Sequence, residues 1–222
     1  MGPVTPFRVQ SNGERGRWRL RDEPVGVTGR WCAIVDAARA TRWAVFWMAK
    51  PGDVLEAPQV GVRIEFRRTT EDTGGELVEF DVVGRPRGIF AQPHLHPLQS
   101  ERHEVIEGSM RIKSGGSWRL LSPGEVAETP AGTTHRHYAG DTDARIRVQM
   151  RPAGSIEAWL ERVAAMDCAG QLPRGWPRPV AGARLLLDFH GEAHTPLPPL
   201  GFQKAVARAI LRGHARLARR RT

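Results

Sequence analysis

Residues 88–108 read Gly-Ile-Phe-Ala-Gln-Pro-His-Leu-His-Pro-Leu-Gln-Ser-Glu-Arg-His-Glu-Val-Ile-Glu-Gly, and residues 124–137 read Gly-Glu-Val-Ala-Glu-Thr-Pro-Ala-Gly-Thr-Thr-His-Arg-His. Together these two stretches hold five of the eight histidines in the 222-residue chain. Their apolar runs, divided by glycine and proline, are typical of short β-strands joined by turns. They also contain a His-x-His pair, a nearby carboxylate and a later histidine, which are donors that a divalent metal ion binds.

Four residues of these stretches are candidate ligands for one metal ion. His94 and His96 stand at positions i and i+2, which point to the same face of a strand and lie about 6.6 Å apart along it. Glu101 follows a short loop that can fold its carboxylate back, and His135 comes from a later strand. Three neutral imidazoles and one carboxylate suit Fe, Mn, Ni, Cu or Zn, and suit Mg or Ca poorly. We therefore predict one divalent transition metal.

The bulk composition describes a globular chain, with 40% hydrophobic and 26% charged residues. No run approaches the roughly 20 apolar residues that a transmembrane helix needs. The N-terminus lacks the basic start, apolar segment and cleavage site of a secretory signal. We therefore expect a cytoplasmic protein without a transmembrane segment. Its two cysteines, Cys32 and Cys168, define neither a disulfide scaffold nor a zinc knuckle.

The net charge of +9 is concentrated at the two ends of the chain. Residues 1–47 carry +4 and residues 200–222 carry +7, which leaves −2 for residues 48–199. The histidine-bearing segment is therefore nearly neutral, and we do not expect nucleic acid as a partner.

The basic C-terminal helix predicted at residues 202–219 could bind nucleic acid or an anionic membrane surface. We favour an amphipathic helix that packs its apolar stripe on the β domain, because the aromatic interleaving of a single-strand binder is missing.

Three segments are expected along the chain. Residues 1–47 are predicted to be an N-terminal extension, either poorly ordered or a mis-assigned start with Met48 as the true beginning. Residues 48–152 have the period-2 alternation and Gly/Pro turns of an antiparallel β domain. Residues 153–222 are predicted to be helical, with Ser155 as an N-cap. Strands are expected near residues 60–67, 77–83, 103–112, 118–121, 126–129, 134–138 and 145–150.

The spacing of the histidine stretches resembles the two conserved motifs of the cupin superfamily. The first motif, G-x5-H-x-H-x4-E-x6-G, and the second, G-x5-P-x-G-x2-H-x3-N, together match nine positions. The final Asn is replaced by Ala139, which affects a turn more than metal binding, because that Asn is not a ligand in the family. The resemblance covers about residues 58–152. The matching positions are Gly88, His94, His96, Glu101, Gly108, Gly124, Pro130, Gly132 and His135.

The resemblance implies a mainly β protein: a single cupin (jelly-roll-like) β-barrel followed by C-terminal helices, like those of small single-domain bacterial cupins. It implies a metal inside the barrel, held by His94, His96, Glu101 and His135. It also implies a small-molecule substrate or ligand as partner, and a possible homodimer.

His103 is the predicted catalytic residue. It lies two residues after Glu101 and so shares its strand face, where it could move a proton near the metal. The alternative is a histidine that only fills an interior position. His137 stands in the same relation to His135 and could substitute as a ligand or hydrogen-bond nearby. Phe80, Trp118 and Gln149 are further expected lining residues.

The function expected from the ligand set is a metal-dependent enzyme acting on a small molecule, with an oxidoreductase of dioxygenase type favoured. A metal-assisted isomerase or epimerase could use the same ligands. The alternative from another class is a non-catalytic, small-molecule-binding or sensing cupin.

Overall fold

The computed structural model describes residues 49–220. The predicted extension at residues 1–47 therefore lies outside the described residues. In the described part, a succession of strands precedes three α-helices. The strands are β1 Val54–Ala57, β2 Val62–Arg68, β3 Val78–Gly84, β4 Ser100–Glu107, β5 Met110–Ser114, β6 Ser117–Leu121, β7 Val126–Thr129, β8 His135–Ala139 and β9 Ala144–Arg151; the helices are α1 Ile156–Cys168, α2 Pro179–Phe189 and α3 Leu200–Arg219.

The strands form two antiparallel sheets. One has six strands in the order β1-β2-β3-β9-β4-β7, and the other has three in the order β6-β5-β8. The chain leaves the larger sheet after β4 and returns to it with β7 and β9, which is the crossing pattern of a jelly roll. The prediction of a mainly β, jelly-roll-like fold with C-terminal helices is confirmed. The strand pairing of the described residues gives two sheets and no single closed barrel.

In the large sheet, the alternation of apolar and charged residues determines which face of each strand is buried. In β2, the side chains of Val62, Ile64 and Phe66 are buried, while Arg63 and Arg68 are exposed. The same period of two continues in β4 and β9. The core between the layers is therefore built from one face of each strand, and the other face carries ion pairs.

The principal ion-pair cluster on that outer face surrounds Asp81, whose side chain is fully buried. Arg67, Arg145 and Arg147 all donate hydrogen bonds to its carboxylate at 2.8–2.9 Å. Burial raises the pKa of Asp81, but the hydrogen bonds from these three arginines more than offset it and leave that pKa below its ordinary value.

Glycine ends the first histidine stretch because the backbone leaves no room for a side chain. Gly108 has a φ of 76°, and a Cβ atom placed there would lie 2.4 Å from the carbonyl oxygen of Asp143. This turn divides the single strand expected at residues 103–112 into β4 and β5. Strand β1, which the sequence analysis missed, is only four residues long.

The helices differ in how much apolar surface they bury. Helix α1 packs on β1 and buries Ile156, Leu160 and Val163. Ser155 precedes it as predicted, but its side chain makes no capping hydrogen bond. None of the helices between residues 49 and 220 combines the length and the apolar character that crossing a membrane requires.

The predicted packing of the C-terminal helix on the β domain is wrong. Helix α3 packs chiefly on α2. Ala207 is its only buried residue among those described, and Phe202, Val206 and Leu217 are exposed. The prediction of an amphipathic helix at this position is confirmed, and the prediction of the element on which it packs is wrong.

Candidate metal centre and cavity

The structure brings the four candidate ligands together. One donor atom from each of His94, His96, Glu101 and His135 can be chosen so that all four lie within 4.8 Å of one another. Glu101 lies on β4 and His135 begins β8. His94 is held beside His135 by two backbone hydrogen bonds of 2.9 Å, which link the loop before β4 to the smaller sheet. The cluster therefore lies where segments from both sheets meet.

Backbone carbonyls fix the tautomer of all three histidines. The Nδ1 atoms of His94, His96 and His135 lie 2.9, 2.7 and 3.1 Å from the carbonyl oxygens of Gln92, Glu192 and Thr133. Because a carbonyl oxygen only accepts, each Nδ1 must carry a proton. In the neutral ring, each Nε2 then holds a free lone pair. The Nε2 atom of His96 is buried without a hydrogen-bond partner in the described structure, and the buried Nε2 atom of His135 faces the carboxylate of Glu101. Buried, oriented lone pairs of this kind fit a metal ion.

The electrostatics of the cluster also favour the metal-binding protonation states. Burial lowers the pKa of His94 to about 3, helped by the charges of His135 and His96. Burial likewise lowers the pKa of His96. Burial raises the pKa of Glu101, but His103 and His135 outweigh it and hold that pKa well below its usual range. At neutral pH the carboxylate is therefore ionised and these two imidazoles are neutral.

His135 behaves differently, because its Nε2 lies 2.5 Å from Oε2 of Glu101. Burial lowers the pKa of His135, but the adjacent carboxylate more than compensates and the pKa is raised. Two bare acceptors at this separation would repel each other, so a cation must lie between or beside them. A proton on Nε2 would satisfy this contact in the metal-free protein, and a metal ion would take its place.

A cavity of about 220 Å³ adjoins the cluster. His94, His96 and Glu101 line it, together with apolar side chains from β3 and β9. The short 3₁₀ turn at Gly88–Phe90 contributes Ile89 and Phe90. The helical region supplies Ile156, Trp159, Leu160, Pro177, Gly182, Leu185, Leu186, Ala193, His194, Thr195 and Gln203.

The sequence patterns did not predict the contribution of the helical region, which includes His194. The backbone of His194 pairs with that of Leu95 through hydrogen bonds of 3.0 and 3.2 Å. Glu192, two residues earlier, accepts the hydrogen bond from His96. Residues 192–195 are therefore hydrogen-bonded to the loop that carries His94 and His96. No local pattern in the sequence indicates this contact, because its partners are almost 100 residues apart.

The predicted catalytic residue His103 lies behind Glu101. It is fully buried, and its Nε2 is 3.4 Å from Oε1 of Glu101. It does not line the described cavity, whereas His137, whose ring lies 4.8 Å from that of His103, does. Burial, reinforced by the charge of His103, lowers the pKa of His137 well below its ordinary value.

Of the other expected lining residues, only Phe80 faces the cavity. Trp118 is 49% exposed and stacks on Tyr138, with ring centroids 5.6 Å apart. Gln149 donates a hydrogen bond to Glu79 in the neighbouring strand. The expectation for these two residues was wrong because the strand face could not be assigned from alternation alone.

Several solved structures resemble the chain. KdgF from Halomonas sp. is 21% identical, with a TM-score of 0.42, and the match covers 50% of this chain and 98% of that one. An RmlC-like cupin from Shewanella frigidimarina is 16% identical, with a TM-score of 0.40 and coverage of 52% and 96%. Oxalate decarboxylase from Bacillus subtilis is 18% identical, with a TM-score of 0.39 and coverage of 50% and 31%. A search of curated proteins found no match.

The decisive comparison is with models of protein families. Residues 82–149 match the model described as the cupin domain. This range contains both histidine motifs and all four clustered donor residues. Residues 82–149 therefore form a cupin domain, as the spacing of the motifs predicted.

Proposed function

We propose that His94, His96, Glu101 and His135 bind one divalent transition metal, and that the protein is a metal-dependent enzyme of dioxygenase type acting on a small molecule. One observation carries the proposal. Three imidazoles, each fixed through Nδ1 by a backbone carbonyl, turn their Nε2 atoms and a buried carboxylate toward one point beside an apolar cavity.

The donor set selects the kind of ion. Imidazole nitrogen with one carboxylate suits Fe, Mn, Ni, Cu or Zn. Such an ion supplies a Lewis-acidic centre, redox-active for all of these except Zn, that binds an oxygen donor of the substrate. The surrounding side chains exclude water and hold the substrate beside it. Phe80, Val148 and Met150 provide part of this apolar enclosure.

The role proposed for His103 is to position Glu101. Its contact with Oε1 leaves Oε2 of the carboxylate facing His96 and His135. A proton transfer that requires contact with the substrate would instead involve His137 or His194, because both line the cavity.

The same two histidines favour a second candidate, the metal-assisted isomerase or epimerase. Such a reaction moves protons on and off carbon, and it needs an acid and a base beside the substrate. His137 and His194 both line the cavity, and neither belongs to the four clustered donors, so both could serve as the acid and the base. The dioxygenase proposal requires oxygen consumption, and the isomerase candidate does not, which separates the two.

Metal analysis followed by oxygen uptake tests the proposal. The full chain, as isolated and after incubation with Fe(II), Mn(II), Ni(II) or Zn(II), is expected to hold about one ion per chain. His94→Ala and His135→Ala should abolish this binding. His214→Ala is the matched control, since this exposed histidine of α3 lies outside the cluster. If no metal is bound under any of these conditions, the proposal is wrong. If metal is bound but a substrate panel gives neither oxygen uptake nor isomerisation, the non-catalytic alternative replaces the enzyme.

A further inference from the structure

The chemistry of the cavity wall restricts what can occupy it. We infer that the ligand is amphipathic: a compact oxygen-bearing head at the metal cluster, joined to an uncharged apolar body of about one substituted ring. The contact of the head with metal rests on the proposed function. The selection for an apolar body rests on the wall itself and does not depend on the metal.

The first observation is the absence of cationic side chains. Among the described residues that line the cavity there is no lysine and no arginine, and Glu101 is the sole carboxylate. An anionic group buried there, away from the metal, would have no permanently cationic side chain to pair with. Phosphorylated ligands and ligands with a second carboxylate are therefore disfavoured.

The second observation concerns the polar groups of the wall. The side chain of Gln203 lines the cavity, but its amide nitrogen already donates to the carbonyl oxygens of Thr195 and Pro198. Its amide oxygen accepts from the hydroxyl of Thr195. These groups satisfy each other and have little capacity left for a ligand. Outside the four clustered donors, the remaining polar side chains of the wall are those of Gln92, His137 and His194. A polyhydroxylated sugar needs more donors and acceptors than these three provide and would leave most of its hydroxyls unpaired.

The third observation is the shape of the apolar part. The rings of Phe90 and Trp159 lie 5.4 Å apart at 53°, and both line the cavity. Leu185 and Leu186 from α2 add further apolar surface. Aromatic walls favour a flat, apolar guest. The volume of about 220 Å³ is below the range of about 300–1,000 Å³ that is typical of drug-sized ligands. The guest is therefore small.

A matched pair of catechols tests the inference on the metal-loaded full chain. The probes 4-methylcatechol and 3,4-dihydroxybenzoate have the same chelating head and differ in one charge. Binding is measured by calorimetry and by tryptophan fluorescence, with Trp159→Phe identifying the signal from the cavity. The neutral probe should bind at least about tenfold more tightly, because the carboxylate of 3,4-dihydroxybenzoate finds no lysine or arginine in the cavity wall. A chelating sugar acid, gluconate, should bind more weakly still.

A charge-insertion variant tests the same idea from the side of the protein. Leu186→Arg places a cation at a half-buried position of the cavity wall. It should reduce the ratio of the affinity for 4-methylcatechol to that for 3,4-dihydroxybenzoate several-fold. Leu217→Arg, at an exposed position of α3, is the control and should leave the preference unchanged. The inference is overturned if 3,4-dihydroxybenzoate or gluconate binds unmodified protein as tightly as 4-methylcatechol.

A separate measurement distinguishes failure of this inference from failure of the metal proposal. The probe 4-methylanisole has a similar apolar ring but no chelating pair of oxygens. It should perturb the fluorescence of Trp159 in metal-free protein, and the signal should be absent in Trp159→Phe. If the protein binds no metal but does bind this probe, the proposed function fails and the apolar selectivity stands. If metal is bound and 4-methylanisole is not, the apolar selectivity fails alone.

Discussion

Replacing Gln99 by alanine should weaken metal binding although its hydrogen bonds go to Ala153 and Glu192 and not to the four ligands. Gln99 is buried, and its amide nitrogen donates to the side chain of Glu192 at 2.7 Å and to the carbonyl of Ala153 at 3.1 Å. Glu192 in turn presents its backbone carbonyl to Nδ1 of His96 at 2.7 Å. The Gln99 side chain thus anchors the residue that orients one imidazole.

The magnitude follows from these contacts. Loss of a group that orients a metal ligand typically costs about 10–100-fold in metal affinity. The two backbone hydrogen bonds between Leu95 and His194 would still hold residues 192–195 in Gln99→Ala. We therefore expect the lower end, about tenfold. Loss of two buried hydrogen bonds, at about 1 kcal/mol each, should also lower the free energy of unfolding of metal-free protein by about 2 kcal/mol.

The assay is a competition titration of Zn(II) or Co(II) against a chromophoric chelator, combined with urea unfolding of the metal-free protein. Gln149→Ala is the matched control, because it removes an amide that bonds Glu79 away from the cluster. The reasoning is refuted if Gln99→Ala loses stability but keeps its metal affinity within about twofold of the unmodified protein, a difference of only about 0.4 kcal/mol.

Two further predictions concern stability. Asp81→Asn should lower the free energy of unfolding by about 2–3 kcal/mol, less than for a fully buried ion pair because the arginines are about one-third exposed. The pKa of Asp81 is lowered in the folded protein. Its contribution to the free energy of unfolding is therefore fully present above its unfolded pKa of about 4 and is lost as the pH falls through its folded pKa. Urea unfolding at pH 7 and pH 3 should show a smaller difference in the free energy of unfolding between the unmodified protein and Asp81→Asn at the lower pH. Gly108→Ala should cost more than about 2 kcal/mol, because its Cβ would meet the carbonyl of Asp143, whereas Gly124→Ala, at a φ of 85° with open space, should cost about 1 kcal/mol. Equal thermal shifts for the two glycine variants would contradict the steric argument.

The donor set could be predicted from the sequence because its spacing is local. His94, His96 and Glu101 lie within eight residues of one another, and only His135 required a long-range contact. Fixed spacing between glycines and histidines supplied that contact through the resemblance to cupins. The strands followed from alternation in the same way.

The cavity wall could not be predicted, since half of it comes from a region with no metal-binding pattern. Trp159, His194 and Gln203 reach the cavity from α1, from the segment after α2 and from α3, respectively. Packing of this kind depends on contacts between residues distant in sequence, which alternation and helix periodicity do not encode. For the same reason, the strand that carries Trp118 was predicted at the right position, but the side chain of Trp118 was predicted on the wrong face of it.

The measurement that tests the central claim most directly is X-ray absorption spectroscopy of the Zn(II)-loaded full chain. We predict a first shell of nitrogen and oxygen at about 2.0–2.2 Å. The outer-shell scattering should require three imidazoles, and one fewer in His94→Ala. A shell without imidazole, or one containing sulfur, would contradict the assignment of His94, His96, Glu101 and His135 as the metal ligands.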